Sequence, residues 1–159
     1  MNTLLIMRHA KSDWDAAYGS DHDRPLNGRG VKSARVMGET LAAEGLAPGL
    51  VVTSTAVRAR TTAELAAEAG NWECDINLES RLYGSGADVA IQVASEAPDV
   101  EKLMLVGHQP TWSILVSALS GERVDMKTAT VAVLEFDEWP ALDTQSGRLT
   151  AVYQPRDYV

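Results

Sequence analysis

Leu4-Leu5-Ile6-Met7-Arg8-His9-Ala10 decides how this chain is read. Four apolar residues in succession are too few for a buried helix and suit a buried strand. The run ends at once in a cation and an imidazole, which are costly at the end of a buried strand unless they meet a partner. In open α/β sheets, ligands bind at the carboxyl ends of strands. Taken alone, Arg8-His9 reads equally well as a satisfied arginine beside a core or surface histidine.

A second stretch, Leu103-Met104-Leu105-Val106-Gly107-His108, repeats the design, and Gln109-Pro110-Thr111 then leads into a helical pattern. Two strands that each deliver a histidine at the carboxyl end point to one shared site. A third piece, Val51-Val52-Thr53-Ser54-Thr55-Ala56-Val57-Arg58-Ala59-Arg60-Thr61-Thr62-Ala63, reads as a strand, a turn and a helix with arginine in its first turns.

Outward from these segments the pattern alternates. A strand over 3–8 and a loop over 10–25 precede a helix from Gly28 to Glu44, whose Val31, Ala34, Met37 and Leu41 share one face. Asn27 suits its N-cap and Gly45 its stop. The spacing predicts a strand Leu50–Thr53, a helix Thr55–Ala69, a short strand Glu73–Asn77, a helix Ala87–Ala97 stopped by Pro98, a strand Lys102–Val106 and a helix Thr111–Leu119. Thr130–Phe136 and Arg148–Tyr153 read as two closing strands, a hairpin at one edge. Such alternation implies an α/β fold, a mostly parallel central sheet with helices on both faces. The length, 159 residues with 45% hydrophobic, suits one domain over 1–159 with an ordinary core.

The net charge of -8 argues against non-specific binding to nucleic acid or to an anionic membrane surface. It does not argue against an anion pocket. Distant charges are screened over about 8 Å, whereas each charge-assisted hydrogen bond in a pocket contributes about 1.5–3 kcal/mol. The lone cysteine, Cys74, allows no intrachain disulfide and reads as a small buried thiol. With no leader pattern and no stretch long enough to span a bilayer, a cytoplasmic protein without membrane partners is the expectation.

Arg8-His9-Ala10 after an apolar strand resembles the RHG signature of the histidine phosphatase superfamily. Ser54-Thr55-Ala56-Val57-Arg58-Ala59-Arg60-Thr61-Thr62-Ala63 is similar to that family's S-P-L-x-R-A-x-Q-T-A, and Gly107-His108-Gln109-Pro110 to its second-histidine segment. The short length and Asp23-Arg24-Pro25-Leu26 resemble the small SixA-type branch, which is associated with removal of phosphate from phosphohistidine in proteins. The resemblance implies a three-layer α/β/α, phosphoglycerate-mutase-like architecture, and chemistry without metal or other cofactor.

Phosphoryl transfer needs fixed positive groups, an in-line nucleophile and, for poor leaving groups, a proton. His9 is the expected nucleophile. An imidazole attacks only when neutral, and the cations Arg8 and Arg58 should lower its pKa from about 6.5. A phosphohistidine intermediate would split one hard step into two. Arg8 and Arg58 suit bidentate contact with phosphate oxygens. His108 is expected to donate to the same oxygens, with a satisfied strand-end histidine as the alternative. Arg24 is a further phosphate-binding candidate, with a solvated loop charge as its alternative. Arg60 lies out of helical register with Arg58.

The general acid is the gap. Many members of the wider family place a glutamate before leucine after the second helix, where this chain has Arg81-Leu82-Tyr83-Gly84. Glu79 is the candidate acid. Asp13, Asp15, Asp21 and Asp23 are other candidates for the acid, with solvated loop acids as the alternative, and His22 between two of them reads as a solvated turn and not a metal ligand. A missing acid puts hydrolysis of alkyl phosphates in doubt, because such leaving groups need a proton, whereas a phosphoramidate leaves as a near-neutral imidazole. Trp14 and Trp112 each follow a motif and could wall the pocket, with core packing the alternative for Trp112. Three functions fit these residues: a phosphatase acting on a phosphorylated phosphotransfer or phosphorelay protein, a small-molecule phosphomonoesterase on the same site, or a non-catalytic phosphate-binding protein.

Overall fold

Strand β1 (Asn2–Arg8) lies inside the sheet and contributes to both cores of the molecule. The computed structural model describes residues 2–139 and 145–157. After β1 come α1 (Gly28–Ala43), β2 (Leu50–Thr53), α2 (Val57–Gly70), β3 (Asp75–Leu78), α3 (Ala87–Glu96), β4 (Lys102–Gly107), α4 (Thr111–Ser120), β5 (Val131–Phe136) and β6 (Arg148–Tyr153). The sheet order is β3-β2-β4-β1-β5-β6. Strands β1 to β4 run parallel, and β5 and β6 close one edge as an antiparallel pair.

The alternation of side chains along β1 explains the three layers. Leu4 and Ile6 join a core with Val93 of α3 and Leu115 and Leu119 of α4. Leu5 and Met7 point the other way, into a core with Met37 and Leu41 of α1 and Ala63 and Ala66 of α2. All four β1 side chains are fully buried, and each contributes about 1.5–3 kcal/mol by leaving water. The α1–α2 contact is backbone against backbone. A Cβ on Gly38 would lie 2.0 Å from the Ala66 carbonyl oxygen, so only glycine permits this approach.

Two details fix where α1 begins. The Asn27 side chain caps the helix by accepting from the Gly30 amide at 2.8 Å. A Cβ on Gly30 would meet the Lys11 carbonyl oxygen at 2.1 Å, so α1 starts hard against the loop that leaves β1. The expectation of a small buried thiol is corrected: Cys74 is half-buried, because it leads into β3 at the sheet edge. No helix among the described residues is long and apolar enough to cross a membrane.

Candidate active site

Strand register brings the two histidines together. β1 and β4 are parallel neighbours with Arg8 opposite Gly107, so the next residue of each strand is a histidine. The His9 amide donates to the Gly107 carbonyl at 3.0 Å, and the rings lie 5.3 Å apart, centroid to centroid. Trp112, in the first turn of α4, supports this junction from below. It is core, as its alternative reading had it: 1% exposed, with its indole N–H donating to the Met7 carbonyl at 2.8 Å.

His9 is 6% exposed and its Nδ1 lies 2.7 Å from the Ala10 carbonyl oxygen. A carbonyl only accepts, so Nδ1 carries the hydrogen. In the neutral ring Nε2 then holds the lone pair, and it has no hydrogen-bond partner among the described residues. Burial first, then His108, Arg8 and Arg58, push the His9 pKa down to about 3. The ring is therefore neutral near pH 7 and presents an unprotonated Nε2. The following loop is pinned to α2, since the Ala10 amide donates to Thr62 Oγ1 at 3.0 Å and that hydroxyl donates to the Arg58 carbonyl at 2.7 Å. The segment that carries His9 and the helix that carries Arg58 thus share one hydroxyl.

His108 Nε2 lies 2.8 Å from Ser54 Oγ, and its Nδ1 is buried without a partner among the described residues. Burial, then Arg58, with smaller contributions from Arg8 and Arg24, lowers its pKa to about 4. With the serine hydroxyl donating to Nε2, the neutral ring offers Nδ1–H to an acceptor.

Three arginines converge here. Arg8 donates to the Met126 carbonyl at 3.2 Å. Arg58 reaches Asp21 twice, at 2.8 Å to its carbonyl and 3.0 Å to Oδ2. Arg24 donates to Ser12 Oγ at 2.9 Å and pairs with Asp21 Oδ1. Arg24 is 4% exposed, so its reading as a solvated loop charge does not hold. Trp14 stays 69% exposed and stacks on the Arg24 guanidinium, 3.5 Å from carbon to ring centroid. It covers the arginine from outside. The Nε atoms of Arg8 and Arg58 are buried without partners among the described residues.

Asp21 has a role its sequence position did not announce. It is not merely solvated: one carboxylate bridges Arg24, Arg58 and the Tyr83 hydroxyl, which donates to Oδ2 at 2.8 Å. Partial burial pushes its pKa up, but hydrogen bonds from Tyr83, Arg58 and Arg24 together outweigh that and lower it to about 2. Tyr83 packs edge-on against His108 and His22, at 5.6 and 5.0 Å. His22 is half-buried and lies 2.8 Å from Thr55 Oγ1, so it too is more than a solvated turn. The signal for Asp21 and Tyr83 was their place in the two segments flanking the motifs.

Glu79 is not brought to the histidines. Both its carboxylate oxygens accept from Arg81, at 2.9 and 3.1 Å, and Arg81 also reaches Glu96 at 2.7 Å. Arg81 draws Glu79 to the outer surface, where its carboxyl stays below the usual range. Among the described residues, no group of three or more His, Cys, Asp or Glu side chains could hold a metal ion.

A family model described as histidine phosphatase superfamily (branch 1) matches residues 4–85. The chain is 35% identical over 163 residues to the uncharacterized protein Rv1276c of Mycobacterium tuberculosis (strain H37Rv), covering 94% of this chain and 100% of that one. It is 32% identical over 142 residues to an uncharacterized chloroplastic protein of Arabidopsis thaliana, covering 83% of this chain and 65% of that longer one. Among solved structures, a SixA protein from Agrobacterium tumefaciens superposes with a TM-score of 0.83 at 28% identity, covering 97% of this chain and 98% of that one.

Proposed function

The chain belongs to the histidine phosphatase superfamily, on its SixA-type branch, and from that premise we propose that it removes phosphate from phosphohistidine on a protein through a phosphoenzyme at His9. One observation carries the reading most of the way. Three buried nitrogens, Arg8 Nε, Arg58 Nε and His108 Nδ1, lack partners among the described residues beside a neutral imidazole. Buried donors left unpaired are rare, and such a group calls for an acceptor-rich ligand such as phosphate.

In the proposed cycle, Arg8, Arg58 and Arg24 hold the phosphoryl oxygens and His9 Nε2 attacks phosphorus in line. The bond from phosphorus to the substrate imidazole breaks, and that imidazole takes a proton from solvent. Water then attacks phosphorus on His9, releasing phosphate and restoring the neutral ring. His108 stabilises the charge that gathers on the oxygens. Asp21 gives up its hold on Arg58 as phosphate takes its place.

The substrate class rests on the absent acid. Glu79 is occupied by Arg81, and Asp21, with its pKa lowered to about 2, carries no proton at neutral pH. An imidazole leaving group tolerates this and an alkoxide does not. The SixA protein of Agrobacterium tumefaciens, which carries a provisional description as a phosphohistidine phosphatase, supports the same class. The test compares hydrolysis of a phosphohistidine peptide with that of alkyl and sugar phosphates, with His9→Ala as control. Strong preference for the phosphoramidate is expected. Faster turnover of an ester would move the function to small-molecule metabolism.

A further inference from the structure

Beyond the His9 chemistry, we propose that the chain holds a second anion site, for a compact small molecule with two or more phosphoryl groups, in the cavity between the start of α1 and the ends of β5 and β6. The cavity measures about 450 Å³, within the range of about 300–1,000 Å³ usual for small-ligand pockets. Its walls carry Lys11, Arg29, Lys32, Lys127 and Arg156. These are five of the 14 lysines and arginines of a chain whose net charge is -8. No acidic residue is among the described residues that line it.

The cations are not there to neutralise neighbours. Among the described residues, none of Lys11, Arg29, Lys32 and Lys127 has a carboxylate partner, and Arg156 has only Asp157, at 4.0 Å. They line a single cavity, where like charges repel. Arg29 and Lys32 also sit in the first turns of a 16-residue helix whose first turn has no acidic residue. The helix dipole disfavours cations at that end and favours an anion. Such an arrangement is costly when empty and favourable when filled by negative charge.

A second, independent observation lies in the lining of the cavity. Thr130 is fully buried and its Oγ1 has no hydrogen-bond partner among the described residues. Gln154 Oε1 is likewise buried and unpartnered. Both residues line the cavity. A hydroxyl and a carboxamide oxygen without partners among these cations suit a ligand with anionic oxygens and at least one polar hydrogen. The cavity volume and the buried polar atoms in its lining favour a small molecule over the face of a protein. The site adjoins the histidine pair through the chain itself. Lys11 is two residues from His9, and the Thr130 carbonyl accepts from the Arg8 amide at 3.1 Å.

The test titrates tripolyphosphate into the full-length protein already saturated with tungstate, a mimic of orthophosphate that should fill the His9 site, and follows heat. Binding of one tripolyphosphate that persists with tungstate present is expected. Arg29→Glu and Lys32→Glu, both at exposed positions, should each weaken it by about tenfold or more while tungstate affinity stays the same. Thr130→Val, which removes the open hydroxyl and keeps the shape, should weaken tripolyphosphate without lowering the melting temperature. Absence of tripolyphosphate binding, displacement by tungstate, or indifference to both charge reversals would overturn the inference. If the reversals instead slowed only turnover of a phosphoprotein, with no tripolyphosphate bound, the cavity would be a protein-docking face and the inference would fail. Failure of tungstate itself to bind counts against the His9 reading alone.

Discussion

Of the places where arginine meets carboxylate on this molecule, two have opposite consequences. At one, the Arg58 side chain is 7% exposed and shares Asp21 with Arg24. At the other, Arg81 is 42% exposed and pairs with Glu79 and Glu96. The Arg58–Asp21 and Arg81–Glu79 side-chain bonds, at 3.0 and 2.9 Å, are of similar length, so geometry alone does not separate them. Burial does. An exposed ion pair is worth about 0–1 kcal/mol and is screened by salt. A buried guanidinium keeps its field, lowers the pKa of nearby histidines and has open donors to offer an anion. The exposed pair serves a different end: it removes Glu79 from the place where an acid was sought.

The comparison can be broken most directly at Arg58. Arg58→Ala should lower kcat/KM for a phosphohistidine peptide by about 10²–10³, the usual cost of losing one preorganised donor to a transition-state oxyanion, with Arg81→Ala as the exposed counterpart changing it by less than about twofold. Comparable losses for both would remove burial as the distinction.

The pH profile sharpens the same point. kcat/KM reports the free enzyme, whose two paired histidines are neutral down to about pH 4 for His108 and about pH 3 for His9. After correction for substrate ionisation, the rate should be flat from pH 8 to pH 5. A His9 titrating at about 6.5 would instead cost about thirtyfold at pH 5. Stability carries the opposite sign. Unfolded, His9 and His108 take up protons below about pH 6.5; folded, they do not until near 3 and 4, so the folded state should weaken as pH falls across that window. Denaturant melts between pH 7 and 5 check this.

Asp21→Asn should have a smaller effect. As the internal anion on Arg58 and Arg24, Asp21 competes with phosphate, but its side chain is 51% exposed and its hold is correspondingly weak. Tungstate should bind about two- to fivefold more tightly to Asp21→Asn. Weaker binding would mean that Asp21 orients the arginines and does not compete. Smallest of all, Glu79→Gln should change turnover by less than about twofold and stability by about 0.5 kcal/mol or less. A loss above tenfold would restore Glu79 as the acid.

The fold was legible because its strands announce themselves. β1 and β4 are unbroken apolar runs, and the helices between them keep a 3.6-residue period, so element order and the mixed sheet can be read from the pattern. The pairing of His9 with His108 was legible as two strands of one design, although the register that sets Arg8 opposite Gly107 is a tertiary fact. The bridging role of Asp21 was not legible. A loop aspartate among four looks solvated until the short 3-10 turn Asp21–Asp23 brings it to Arg58, 37 positions away. The pairing of Glu79 was hidden for the reverse reason: its partner Arg81 was visible two residues on, but Arg81 is also held by Glu96 of α3. Cys74 was misjudged because an edge strand leaves half its neighbours uncovered.

The central claim is a phosphoryl group carried on His9, and rapid mixing with a radiolabelled phosphohistidine protein, quenched in alkali and followed by peptide mapping, tests it most directly. A transient label on His9 that decays as phosphate appears is expected, with neither label nor turnover in a folded His9→Ala protein. Label on His108, or undiminished turnover by folded His9→Ala, would contradict it.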